Sequence, residues 1–150
     1  MLAICMLVGR LLPEKCTWVM AFDFGTARIG VAVGNTLLKI PHPLSIITGH
    51  NKFDKFAKIG KLIDEWRPSQ LVVGIPENNE DKQQFIAIIN KFGNRLKHNF
   101  HLPLSFVNED YSSAIASDML VQQKIRGIKQ KKMVDEVAAC LILQRYFDIS

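Results

Sequence analysis

Asp23 closes an unbroken apolar run, Trp18-Val19-Met20-Ala21-Phe22, and opens the string Asp23-Phe24-Gly25-Thr26-Ala27-Arg28-Ile29-Gly30-Val31-Ala32. A carboxylate at the end of a buried strand loses hydration unless a cation holds it. Gly25 and Gly30 remove side chains that would keep a polyanion away from that carboxylate. Further acids follow other apolar segments: Glu77 comes after Leu71–Ile75, Glu109 after residues 104–107, and Asp135 precedes the last apolar stretch. Carboxylates that converge repel one another unless divalent cations sit among them, and oxygen ligands with several waters suit Mg²⁺ or Mn²⁺. Two such ions can clamp an in-line attack on a phosphodiester. The chemistry suggested is metal-assisted hydrolysis of a phosphate ester.

Each acid also has a plainer reading. Asp135 alone reads as a helix-capping residue in a first turn, where the macrodipole favours a carboxylate. Glu109 alone reads as a solvated loop acid. Arg28 suits either bidentate phosphate binding or an ion pair with Asp23. Lys124, Arg126, Lys129, Lys131 and Lys132 form a basic stretch with Gly127 inside it. Beside a carboxylate cluster, such a stretch reads as a clamp on a phosphate backbone.

The elements that must position these groups follow from hydrophobic period. Residues 18–23 read as a central strand, 29–34 as the second arm of a hairpin, and 37–47 as a third strand. Pro41 and Pro43 make that third strand an edge, since neither can donate a ladder hydrogen bond. The pattern then turns helical through Phe53, Phe56, Ile59, Ile63 and Trp66, with Pro68 as the stop. Leu71–Ile75 reads as a strand buried on both faces, and Phe85, Ile88, Ile89, Phe92 and Leu96 mark a second helix. Residues 104–107 give a fifth strand, and Ser112 or Ser113 caps a helix to about Val121. A basic loop spans Lys124 to Lys132, before a last helix from Val134 to Phe147. The order βββαβαβαα implies an α/β fold: a mixed sheet with three antiparallel and two parallel strands, flanked by helices. The carboxyl ends of the first, fourth and fifth strands then share one rim.

A chain of 150 residues with 48% hydrophobic and 22% charged residues reads as one domain of an ordinary soluble protein. Its net charge of +5 favours an anionic partner, nucleic acid above all. Cys5, Cys16 and Cys140 share no ligand or redox spacing, which points to a reduced, cytoplasmic setting. Residues 1–17 read as an N-terminal extension to a domain at 18–150. The apolar Met1–Val8 lacks a positive leader, and Arg10, Pro13, Glu14 and Lys15 break it short of a membrane span. Met20 is an alternative start. His42, His50, His98 and His101 are scattered, so zinc is not indicated. Trp18 and Trp66 read as core residues, and neither a P-loop nor a Gly-x-Ser-x-Gly elbow is present.

Three blocks together resemble the YqgF family, also called RuvX or pre-16S rRNA nuclease, over roughly residues 19–147. Asp23 to Ala32 is similar to the family's D-x-G-x-x-R-x-G-x-A. Leu71-Val72-Val73-Gly74-Ile75-Pro76 is similar to V-V-G-L-P, and Asp135 to Gln144 to D-x-x-A-A-x-x-I-L-Q. The resemblance implies an RNase H-like fold related to Holliday junction resolvases. It also implies an acidic site of Asp23, Glu109 and Asp135 that binds Mg²⁺ or Mn²⁺, and a role in maturing the 5′ end of 16S rRNA, with ribosomal precursor particles as partners. Branched DNA is a second substrate it implies; symmetric junction cutting would need a homodimer rather than a monomer.

The chain departs from the family at Asn108-Glu109-Asp110-Tyr111-Ser112-Ser113, where the usual motif is D-E-R followed by two hydroxyl residues. Asp110 in place of a cation weakens any phosphate contact made there. Glu77, where the family has an apolar residue, is an alternative metal ligand ranked below Glu109. Two other readings are carried. One is a non-catalytic nucleic-acid- or ribosome-binding module of the same fold. The other is an ATP-handling protein similar to sugar kinases and actin, which would need a second domain that this length does not supply.

Overall fold

The fold is seen in a computed structural model that describes residues 17–77, 80–108 and 128–149, the last segment with side chains from residue 137 onward. Strand β1 (Trp18–Phe24) pairs antiparallel with β2 (Ile29–Asn35), which pairs antiparallel with β3 (His42–Ile47). Helix α1 (Lys52–Trp66) crosses back so that β4 (Gln70–Ile75) lies parallel to β1. After a 3₁₀ turn (Glu80–Lys82) and helix α2 (Gln83–Phe100), β5 (Leu104–Asn108) joins parallel to β4. The sheet order is β3-β2-β1-β4-β5, and helix α3 (Ile128–Ile149) completes the described elements.

Alternation along the strands separates two cores. Met20 and Phe22 of β1 pack with Val31, Leu71 and Val73 against Ile59 and Ile63 of α1 and Ile89, Phe92 and Leu96 of α2. Val19 and Ala21 pack with Ala32, Val72 and Val107 against Ala139, Ile142, Leu143 and Phe147 of α3. The sheet is therefore the middle layer of three, covered on both faces as its continuous apolar strands require. Each fully buried Val, Leu, Ile, Phe or Met among them contributes about 1.5–3 kcal/mol through area removed from water. Trp18 is in the core as expected, and Trp66, half-buried, packs against it edge to face with ring centroids 5.1 Å apart.

The structure corrects several sequence expectations. The third strand begins at His42 instead of residue 37, because Asn35 Oδ1 accepts hydrogen bonds from Leu37 N–H (3.1 Å) and Leu38 N–H (2.7 Å). That side-chain turn bends the chain and leaves Leu37, Leu38 and Ile40 exposed. The edge position of β3 holds, and Pro43 sits where the register slips between Val31 and Ala32. Phe53 and Ile88, expected on apolar helix faces, are exposed, Phe53 by 87%. Phe53 stands in the first turn of α1, ahead of the stripe that reaches the sheet. Asn51 caps that helix by accepting from Asp54 N–H at 2.9 Å, worth about 1 kcal/mol. At its other end Arg67 takes a left-handed conformation (φ 46°) and donates to Ile63 O at 2.7 Å, with Pro68 barring any continuation.

The largest correction concerns α3. Residues 128–132, expected in a basic loop, are helical, so Lys129, Lys131 and Lys132 belong to α3. Asp135 consequently lies well inside the helix and not in its first turn, and the macrodipole argument for its charge does not apply. Lys124 and Arg126, together with the helix expected from Ser112 or Ser113, lie outside the described residues.

Candidate nuclease site

Asp23 is the penultimate residue of β1, level with Gly30 across the hairpin. It shares the parity of Val19 and Ala21, so it belongs to the sheet face that α3 covers. Phe24 points the opposite way and packs on Phe92, with centroids 4.8 Å apart. Burying Phe24 thus fixes the strand's rotation and directs Asp23, itself half-buried, toward α3.

The turn after Asp23 is tightly folded. A Cβ at Gly25 would stand 2.6 Å from the carbonyl oxygen of Arg28, closer than any side chain tolerates. Glycine here lets the hairpin bring half-buried Arg28 back beside the end of β1. Lys55 Nζ braces the same turn by donating to Thr26 O at 2.9 Å. Sequence reasoning missed Lys55, since the two residues lie 29 positions apart and nothing local links them. Gly25→Ala is expected to force the turn open and cost about 1–3 kcal/mol, as overpacking typically does. Chemical denaturation checks this, and an unchanged midpoint would show that the turn can spread without strain.

The parallel strands finish at one rim, as expected. Phe22 aligns with Val73, Gly74 with Val107, and Ile75 with Asn108. Glu77 follows β4 there and is exposed. Glu109 is the next residue after Asn108 and two after Val107, which packs on the α3 face; Glu109 itself lies outside the described residues.

Helix α3 climbs toward this rim from the far end of the sheet. Phe147 packs at Gly34, the partner of Val19. Cys140 and Val137 line a groove with Pro43, whose partner Ala32 is aligned with Ala21. From Cys140 back to position 135 is about 7–8 Å along a helix. From Ala21 to Asp23 is about 7 Å along a strand. Both offsets run toward the same rim, α3 from Cys140 back to position 135 and β1 from Ala21 to Asp23. Asp135 precedes Ala138, Ala139 and Ile142 by the spacings of one helical face; all three are buried, Ala139 and Ile142 against the sheet. The small side chains of Ala138 and Ala139 let the backbone of α3 approach closely.

Carboxylate oxygens, the donors these positions offer, suit Mg²⁺ or Mn²⁺. Among the described residues no group of three His, Cys, Asp or Glu is gathered; Glu109 and the side chain of Asp135 lie outside that set.

A family described as RuvX, Holliday junction resolvase, matches residues 17–149. The chain belongs to that family. It is 47% identical over 131 residues to a Chromobacterium violaceum protein named "Putative pre-16S rRNA nuclease", covering 86% of this chain and 96% of the relative. A Methylobacillus flagellatus protein of the same name is 49% identical, covering 87% and 90%. Among solved structures, T. thermophilus RuvC in complex with Holliday junction substrate superposes with a TM-score of 0.55 at 14% identity, covering 89% of this chain and 94% of that one. Fowlpox virus resolvase, with its Holliday junction DNA, gives a TM-score of 0.51 at 10% identity, covering 88% and 97%. The RuvX chain thus has the resolvase type of RNase H-like fold, as its sequence blocks implied. None of its described helices is long and apolar enough to cross a membrane.

Proposed function

We propose that this nuclease of the RuvX family hydrolyses phosphodiester bonds with divalent metal ions, and that it acts in the cytoplasm on the 5′ end of pre-16S rRNA. The observation that carries the reading is the half-buried Asp23 at the rim shared by β1, β4 and β5, on the sheet face that α3 covers. Relatives that span nearly their whole length with this chain carry the rRNA-processing name, which supports RNA as the substrate.

Asp23, Glu109 and Asp135 would hold the metal, Mg²⁺ or Mn²⁺. When bound, it would supply Lewis acidity at the phosphoryl group and stabilise the leaving oxygen. Arg28, returned to the rim by the Gly25 turn, would grip a non-bridging phosphate oxygen in a bidentate pair. Lys129, Lys131 and Lys132, on the opening turns of α3, and Lys124 and Arg126 before it, would neutralise neighbouring phosphates. Ribosomal precursor particles would present the RNA.

The test incubates purified protein with labelled precursor rRNA and with a four-way DNA junction, with and without Mn²⁺. Cleavage of the rRNA that requires Mn²⁺ and stops with chelator is the expected result. Salt-sensitive RNA binding without cleavage at any metal concentration would overturn it and identify a non-catalytic binding module. Mn²⁺-dependent cutting of the junction alone would keep the metal site and reassign the substrate to DNA.

A further inference from the structure

On the sheet face opposite Asp23, α1 and α2 leave a cleft of about 400 Å³. Its floor is apolar, formed by Phe24, Ile29, Phe56 and Phe92. Its walls carry four cations, Lys52, Lys55, Lys91 and Arg95, and no carboxylate is among the lining residues. Lys52 and Lys55 are three apart on α1, and Lys91 and Arg95 are four apart on α2, so each helix presents its pair on one side. Asp54, the acid next to Lys55 in sequence, pairs with Lys58 at 3.7 Å. The cleft adjoins the nuclease site through the turn itself, because Thr26 lines it and accepts from Lys55 at 2.9 Å.

An apolar ligand would leave Lys52, Lys91 and Arg95 without a counterpart in the cleft, and a bare anion would leave the phenylalanine floor unused. A nucleotide satisfies both, since sequence-tolerant binding of single strands combines a basic groove with aromatic rings under the bases. We propose that this cleft holds the single-stranded nucleic acid flanking the scissile bond, with phosphates on Lys52, Lys91 and Arg95 and a base against Phe24 and Phe56. The strand passes over the 25–28 turn from one sheet face to the other, and Lys55 keeps that turn in place. The inference rests on the nuclease reading and adds to it a second contact, on the sheet face away from the acids.

The probe is a fluorescent oligoribonucleotide of about a dozen nucleotides, titrated by anisotropy over a range of KCl in EDTA, which suppresses cutting. The triple substitution Lys52→Ala, Lys91→Ala and Arg95→Ala removes exposed cations from helical positions where alanine is well tolerated. It is expected to weaken binding at least about tenfold and to make the log–log salt dependence shallower by about one to two, at roughly 0.7 per single-strand phosphate contact. A 4-thiouridine oligonucleotide is expected to crosslink to α1 or α2. Unchanged affinity and salt slope in the triple variant would overturn the proposal and leave the cleft to an acidic protein segment. Crosslinks confined to other elements would overturn it as well. Metal-dependent cleavage by the unaltered protein, assayed in parallel, distinguishes that failure from failure of the nuclease reading.

Discussion

Asp23→Asn is expected to lower metal-dependent cleavage by more than roughly a hundredfold while leaving the protein folded. Removing an outer partner of a metal ligand already costs about 10–100-fold, and Asp23 would be a direct ligand. Asparagine keeps the shape of the side chain and half of its acceptor capacity, so the substitution removes the charge with little change in packing. The neighbouring core residues Ala21 and Phe22 are untouched, and both are fully buried. Cleavage rates in Mn²⁺, together with thermal melts of the same preparations, check the two halves of the statement. An Asp23→Asn protein with full activity would sink the assignment. Asp135→Asn provides a companion measurement, since the position of Asp135 within α3 removes helix capping as the reason for its charge. Its melting curve, taken beside the activity, separates loss of metal binding from loss of the fold.

The sheet was legible because local signals agreed with the fold. The apolar run ending at Asp23, the glycine-bearing turn and the short run Leu71–Ile75 each admit one element, and connection rules then set the order β3-β2-β1-β4-β5. Legibility failed where polarity and structure part company. Leu37, Leu38 and Ile40 read as strand, yet a single Asn35 side chain bends them into a turn. Lys129, Lys131 and Lys132 read as loop because a charged stretch shows no apolar period, although lysine is a good helix former. Arg67 ends α1 in a left-handed conformation that glycine would normally signal, so only Pro68 marked the boundary. For the site, the sequence named Asp23 and Asp135 but not their relative height, which depends on how α3 climbs across the sheet. The cleft between α1 and α2 was illegible for a related reason. Its cations come from two helices that meet only in the fold, and Lys52 and Arg95 lie 43 positions apart.

Phe22→Ala should produce the largest loss of stability and spare the chemistry. The Phe22 ring is fully buried between the sheet and the α1–α2 layer, and it meets Phe92 edge to face with centroids 6.0 Å apart. Truncating a buried phenylalanine costs about 3–5 kcal/mol, from lost transfer energy and from the cavity left behind. At about 2–4 °C per kcal/mol for a chain of this size, the melting temperature should fall by roughly 6–20 °C. Such a loss is a large share of the 5–15 kcal/mol that typically holds a domain together. The adjacent residue, Asp23, projects to the other face, where α3 and not α2 supplies the packing. Below its melting transition, the variant should therefore cleave at a rate per folded molecule close to that of the parent. A melting temperature lowered by less than a few degrees would mean that this layer can collapse around the cavity. A matching fall in rate per folded molecule would mean that the two faces of β1 are coupled, and that the α1–α2 layer helps hold the acids at the rim.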